Sequence, residues 1–271
     1  MQRQQIRRYL GIVALVTFGL AACSREEPAP TAAGDYQPTS LLEAVLLGNG
    51  SAVDKFIALG ADVNAPEDDG TTPLMRAVHG RYTGIAKRLI ASGANVAARN
   101  RYGVTALYLA ARGGDAATTR ELLVAGIDAN TSLPGGESAL MTAARSGHTD
   151  VVGVLLTGSN AVESLAEFAG NPGTSERSGY AAESAGYGDT ERRAPRRNRA
   201  DVNAREQRYG DTALMWAAVA GHVDVVRLLI EAGADVRAVD DEGVTALHLA
   251  RANGHTEVAA ALLAAGATPN G

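Results

Sequence analysis

Apolar residues along most of this chain recur three or four apart, in short runs separated by polar turns, the spacing of small amphipathic helices. Val151-Val152 with Leu155-Leu156, and Val225-Val226 with Leu228-Leu229, each mark one face of such a helix. A shorter helix is predicted ahead of each, opened by a hydroxyl residue: Thr39-Ser40-Leu41, Thr72-Pro73-Leu74, Thr105-Ala106-Leu107, Ser138-Ala139-Leu140, Thr212-Ala213-Leu214 and Thr245-Ala246-Leu247. The first four of these segments start 33 residues apart, as do the last two, and 74 residues separate the two sets. That larger step is one period and 41 residues more, so an insertion interrupts the array. Seven residues after each Leu comes Gly-His or a stand-in, as at Gly147-His148, Gly221-His222 and Gly254-His255. The units close on a Gly-Ala-Asp-Val-Asn-Ala type of turn at residues 60–65, 93–97 and 233–238.

This period and these landmarks resemble the ankyrin-repeat family, whose unit carries Thr-Pro-Leu-His-x-Ala. Six units fit on residues 39–271. The resemblance implies an all-α, ankyrin-repeat solenoid of about six helix-turn-helix repeats, with finger loops at a right angle to the helices. Local chemistry agrees. Thr72 or Thr105 can cap a first helix with its hydroxyl, and Pro73 suits a first turn. Ala77, Ala110-Ala111, Ala143-Ala144 and Ala217-Ala218 let neighbouring helix pairs approach closely. Gly60, Gly93, Gly126, Gly233 and Gly266 suit the left-handed residue that ends a second helix. Each unit buries its apolar face only on its neighbours, so the array should act as one cooperative body. The first unit has Tyr36-Gln37-Pro38 and Asn49 in place of a finger and Gly-His, and reads as a cap; the last, with Ala259-Ala260-Ala261, reads as the other cap. In the third unit Thr118-Thr119 replace the apolar pair, which predicts a weaker helix and a soft spot.

The chain's start has a different pattern. Arg3, Arg7 and Arg8 precede an apolar run from Leu10 to Ala22, too short to cross a bilayer and shaped like a secretory signal peptide. Its end, Leu20-Ala21-Ala22-Cys23, resembles the lipobox of bacterial lipoproteins. That resemblance implies cleavage before Cys23, a diacylglyceryl group on its sulfur and acylation of the new amino terminus, enough chains for stable anchoring. Ser24 stands where Asp would signal inner-membrane retention, so the expected location is the periplasmic face of the outer membrane. The organisation expected is a signal peptide over 1–22, a tether rich in Pro, Ala and Glu over 23–38, repeats one to four over 39–159, an insertion over 160–199 and repeats five and six over 200–271. Within the insertion, Val162 to Phe168 could form a turn or two of helix.

Composition sharpens this picture. Of 271 residues, 46% are hydrophobic and only 4% aromatic, while Gly reaches 31, as close packing through small residues requires. With one Cys, no intramolecular disulfide and no cysteine-built zinc site is possible. The net charge of −5, or −8 once the three arginines of residues 1–22 are removed, argues against nucleic-acid binding. Lys55 and Lys87 are the only lysines.

The candidate chemistry is sparse. His148, His222 and His255 occupy the Gly-His position and His248 the His of the Thr-Ala-Leu-His segment; the resemblance implies that they bond backbone between repeats. Only His79 is off-pattern. Ser146, His148 and Asp150 look like a triad but fall at a helix corner of the repeat. No nucleophile elbow, zinc-protease helix or phosphate loop is present. No enzyme activity, metal or cofactor is expected. Arg192, Arg193, Arg196, Arg197 and Arg199 could bind phosphate, lipid headgroups or an acidic partner, but six acids balance six arginines over 160–199, so a solvated linker is the plainer reading. The expected function is protein binding by a monomer through its groove and fingers. Aligning the units places Asp68, Asp69, His79, Arg101, Tyr102, Arg112, Glu137, Arg145, Arg208, Tyr209, Asp211, Asp241 and Glu242 on that surface, with Trp216 beside it in a first helix or packed between repeats. An immunity-type inhibitor and an accessory factor of an envelope enzyme fit equally. The alternatives are an enzyme or metal-handling protein using the insertion with His79, and a structural tether to the cell-wall layer.

Overall fold

A computed structural model of the chain describes residues 37–158 and 198–268. The lipobox with Cys23, the segment from Val162 to Phe168 and the arginines from Arg192 to Arg197 lie outside the described residues.

Twelve helices form among the described residues, in six pairs. They are α1 (Leu41–Leu46) and α2 (Gly50–Ala58), α3 (Pro73–His79) and α4 (Thr83–Ala91), α5 (Ala106–Gly113) and α6 (Ala116–Val124), α7 (Ala139–Ser146) and α8 (Thr149–Thr157), α9 (Ala213–Ala220) and α10 (Val223–Glu231), α11 (Ala246–Ala252) and α12 (Thr256–Ala264). The first helices of the pairs stack in one ladder and the second helices in another. α7 packs on α9 and α8 on α10, so the solenoid continues without a break across the insertion.

Each first helix starts where a hydroxyl satisfies an amide that has no partner within the helix. The Thr105 hydroxyl accepts from the Tyr108 N–H at 3.2 Å, and Ser138 and Thr212 repeat the bond with Met141 and Met215. In the first unit the cap is Ser40 and not Thr39, one residue out of the expected register. Thr39 instead donates from its amide and its hydroxyl to the Glu43 carboxylate, completing a capping arrangement ahead of the shortened α1. Asn49 caps α2 through its side chain.

Alanines make the contact between pairs. Ala77, Ala111, Ala143, Ala144, Ala217 and Ala218 are all 0% exposed. The histidines lock one repeat to the next. Their Nε2 atoms bond backbone carbonyls of the preceding unit, His148 to Arg112 at 3.2 Å, His222 to Arg145 at 3.0 Å and His255 to Val219 at 2.9 Å. The same rings sit against left-handed glycines of that unit: a Cβ on Gly147 (φ 74°) would lie 2.7 Å from His222. His248 differs from the expectation, since its Nδ1 meets the capping Thr245 hydroxyl of its own unit at 3.1 Å.

The predicted soft spot is filled differently from its neighbours. Helix α6 has its full length, with Thr118 and Thr119 at 1% and 0% exposure. The Thr119 hydroxyl donates to the Asp115 carbonyl at 2.7 Å, and the Thr118 hydroxyl to the Asp115 carboxylate at 2.5 Å. Thr83 of the preceding unit donates to that carboxylate at 3.1 Å. A hydrogen-bonded knot thus replaces the apolar pair, because every buried hydroxyl has a partner.

The insertion is hung on one closed corner. Elsewhere the turn after a second helix is held by an amide-to-carbonyl bond spanning five residues, as from Ala94 to Leu89. Here the Ala200 N–H makes the same bond to the Leu155 carbonyl at 2.9 Å across forty-five positions. Forty of the extra residues therefore lie at this corner, and the remaining one lengthens the fifth finger between Arg205 and Thr212. The corner is bonded from both sides: Asn198 accepts from the Ala129 amide and donates to the Ile127 carbonyl, and Arg199 donates to Thr157. The array thus resumes at Asn198. Asn64 and Asn203 bond the carbonyls of Gly93 and Gly233; in the same ladder Asn130 bonds Arg199.

Candidate functional site

Between the pairs the chain runs out into fingers, hairpin-like loops closed at their base by the bridges Ser132 to Ser138, Arg205 to Thr212 and Val239 to Thr245. Their tips are built by side chains that stand in for backbone partners. The Asn100 side-chain oxygen accepts from the amides of Tyr102 and Val104, and Asp240 from those of Glu242 and Val244. In the longer fifth finger a buried Glu206 carboxylate holds the amides of Arg208 and Tyr209. Neighbouring fingers are tied by the Arg101, Gln207 and Asp241 amides, which donate to the carbonyls of Asp69, Gly135 and Tyr209.

These tips present their candidates unequally. Asp68 and Arg101 are exposed and Tyr102 is 60% exposed, with the Arg101 guanidinium 5.0 Å from the centroid of the Tyr102 ring. Arg208 lies over the half-buried Tyr209 at the same 5.0 Å. The Asp69 carboxylate accepts from the Thr71 amide at 2.8 Å, and its pKa is lowered chiefly by Thr71. Asp241 pairs with Arg205 at 2.9 Å, and Glu242 is exposed. Asp211, placed on the surface by the repeat alignment, is only 2% exposed: it stands directly before the capping Thr212, where Thr71 of the second unit is also buried, and its amide and carbonyl both bond Glu206. It belongs to the finger's interior and offers no contact surface.

On the first-helix ladder the structure gathers a cluster that spans three repeats. Arg145 (α7) donates to Glu137 at 2.9 Å and stacks on Trp216 (α9), 4.5 Å from its ring centroid. The Thr142 hydroxyl meets the same Glu137 oxygen at 2.9 Å. Tyr108 (α5) adjoins them: burial raises the pKa of its phenol, the Glu137 charge adds to this, and Arg145, Arg112 and a hydrogen bond with Thr142 oppose it. Trp216 is half-buried against the core, so it serves both inter-repeat packing and the surface. Arg112 is exposed on the same ladder, and His79 is exposed at the end of α3, apart from the cluster. Tyr108 and Thr142 escaped the sequence reading. The signal for Tyr108 was its place three residues after the cap, where Met75, Met141 and Met215 are each 1% exposed: a polar-tipped ring in a core register marks a surface feature.

Ring and guanidinium donors, stacked aromatics and one shared carboxylate make a surface suited to holding another chain. Among the described residues no group of three His, Cys, Asp or Glu is placed to hold a metal ion.

A family model described as "Ankyrin repeats" matches in three copies, over residues 41–132, 84–166 and 179–271, and the chain belongs to that family. Among solved structures it is similar to EF0377, an ankyrin repeat protein, at 27% identity and a TM-score of 0.64, covering 84% of this chain and 98% of that one. It is also similar to the ankyrin repeat domain of Bcl-3, described as a unique member of the IkappaB protein family, at 25% identity and a TM-score of 0.65, covering 85% and 87%. An ankyrin repeat domain from Acinetobacter baumannii AYE shares the fold at 24% identity and a TM-score of 0.65, over 84% of this chain and 98% of that domain. Proteins of this family are generally non-enzymatic scaffolds for protein interaction.

Proposed function

We propose that this protein is an exported bacterial lipoprotein, anchored at Cys23 on the periplasmic face of the outer membrane, that holds one protein partner in its ankyrin groove and against its fingers. The partner is an incoming toxin that it blocks, as an immunity-type inhibitor, or a resident envelope enzyme that it assists. The observation that carries the binding reading is the Tyr108, Glu137, Arg145 and Trp216 cluster on the first-helix ladder. Tyr, Trp and Arg dominate interface hot spots because they bury large, rigid surfaces while keeping polar edges. The basic start, short apolar run and Leu20-Ala21-Ala22-Cys23 support export and anchoring.

Two measurements test the two halves. Crosslinking in intact cells, followed by purification from membranes, is expected to capture one protein, and replacing Trp216, Tyr102, Tyr209 and Arg101 with Ala is expected to release it. Capture unchanged by these substitutions would remove the groove from the proposal. For the anchor, Cys23→Ala should leave the precursor uncleaved or move the protein to the soluble fraction; unchanged membrane association would refute lipidation there. The inhibitor form further requires that cells lacking the protein die when the captured partner is expressed.

A further inference from the structure

Charge changes sign along the surface in a way the repeat does not demand. The second finger carries Asp68 and Asp69 and the sixth carries Asp241 and Glu242; between them lie Arg101, Arg112 and Arg208. Arg76, Arg88, Arg145, Arg205 and Arg227 are in ion pairs. Among the described residues Arg101, Arg112 and Arg208 are in none, as is true of Arg81, Arg99, Arg237 and Arg251 elsewhere, although acids flank the three on both sides. Asp69 of the neighbouring finger accepts from the Thr71 amide and feels the Arg101 charge, but forms no ion pair with it. Arg101 and Arg208 each rest on the tyrosine that follows them. Such stacking takes the face of a guanidinium and leaves its planar N–H donors available, the geometry that matches a carboxylate. Arg112 lies on the ladder close enough to Tyr108 for its charge to act on the phenol.

We infer that the third and fifth fingers, with Arg112 in the last turn of α5 of the third repeat, dock a short acidic segment of the partner protein; this rests on the groove-binding reading above. Repeats three to five are two helix spacings apart, about 16–20 Å at 8–10 Å each. An extended chain covers that distance in about six residues. Asp68 and Asp69 of the second finger bound the site on one side: they repel a long polyanion that runs past Arg101 and accept a segment that ends short of them. The exposed Tyr102 and the half-buried Tyr209 supply apolar surface beside the charges, which a peptide uses and a bare phosphate does not.

The test is a selection of short random peptides displayed on phage against the immobilised full chain. Enrichment of Asp and Glu over the starting library is expected. The best selected peptide should bind in solution roughly tenfold or more weakly to the Arg101→Gln, Arg112→Gln, Arg208→Gln triple variant, and its own Gln and Asn counterpart should bind the native chain equally poorly. All three positions are exposed, so an unchanged circular dichroism spectrum and thermal midpoint will establish that the variant is folded. No acidic enrichment, or acidic peptides that bind the variant undiminished, would overturn the inference. So would vesicles of phosphatidylglycerol and phosphatidylethanolamine that bind with the same arginine dependence and displace the peptide, since the site would then read lipid headgroups. Failure here with capture still lost on Trp216→Ala leaves groove binding intact; failure of both removes the groove reading itself.

Discussion

Thr118 and Thr119 are adjacent, alike and equally buried, yet replacing each with Val is expected to have opposite effects. Repeats four and five carry Val at the matching positions, Val151-Val152 and Val225-Val226, so repeat consensus alone would favour both changes. Among the described residues the Thr119 hydroxyl is bonded only to the Asp115 carbonyl, which also accepts the Thr119 amide at 2.9 Å. Thr119→Val therefore orphans nothing: it forgoes a shared bond worth about 0.5–1 kcal/mol and gains a buried methyl worth about 0.8 kcal/mol, with a hydroxyl's desolvation removed. The net expectation is a gain of about 0.5–1 kcal/mol. Thr118→Val takes a donor from the Asp115 carboxylate, and hydrogen bonds to charged groups are worth about 1.5–3 kcal/mol. After the methyl is credited, a loss of about 1–2 kcal/mol remains.

Urea unfolding followed by far-ultraviolet circular dichroism will read both, with unchanged slopes showing that only stability moved. The pH dependence gives a second check. Burial raises the Asp115 pKa, but the bonds from Thr118 and Thr83 and the charge of Arg81 outweigh it, so the folded value lies below the ordinary one. Its stabilisation is then present above a pH of about 3.9 and is lost as pH falls through the lower folded value. The deficit of Thr118→Val should shrink in that range. A Thr118→Val variant as stable as the native chain at neutral pH, or a Thr119→Val variant destabilised by more than about 1 kcal/mol, would refute the assignment of roles.

Three further outcomes are expected. Gly147→Ala puts a side chain at a φ of 74° and 2.7 Å from His222; it should cost about 1–3 kcal/mol in the same titration. Deleting residues 160–197 joins Gly158-Ser159 to Asn198 and keeps the Ala200 to Leu155 bond; the shorter closure recovers on the order of 1–2 kcal/mol, so the thermal midpoint should hold or rise, and loss of cooperative unfolding would show the corner misread. Burial lowers the His222 pKa, and the charges of His148 and His255 lower it further, against the bond to Arg145. Stability is then full above the unfolded value of about 6.5 and falls as pH drops towards the folded one; calorimetry across that range should show the loss, and His222→Gln should flatten it.

Much of the fold was legible in the sequence because each repeat carries its own stops and starts. Thr72, Thr105 and Thr212 announce helices, and the left-handed glycines end them, whatever lies far along the chain. What escaped depends on partners in other units. Asp211 lies in a finger longer by one residue, where the buried Glu206 gathers its amide together with those of Arg208 and Tyr209. The Thr118-Thr119 pair read as a flaw because the donor that completes its knot, Thr83, lies one repeat away. Trp216 was legible as an anchor, but its Arg145 cover follows from stacking two units that the insertion separates by dozens of positions.

The histidine and glycine lock runs in one direction. Among the described residues His148, His222 and His255 each reach back to a carbonyl and a glycine socket in the unit before, and none reaches forward. Cutting the array from its far end bares an apolar face but, of the lock itself, leaves only a shallow hollow and a carbonyl that water can serve. Gly254, with open space around it among the described residues, is such a hollow in the native chain. Cutting from the near end through the third repeat instead strands the His148 imidazole without its acceptor. The solenoid is thus a polymer with two unlike ends: a cut at either bares an apolar face, and a cut through the third repeat from the near end also orphans a ring.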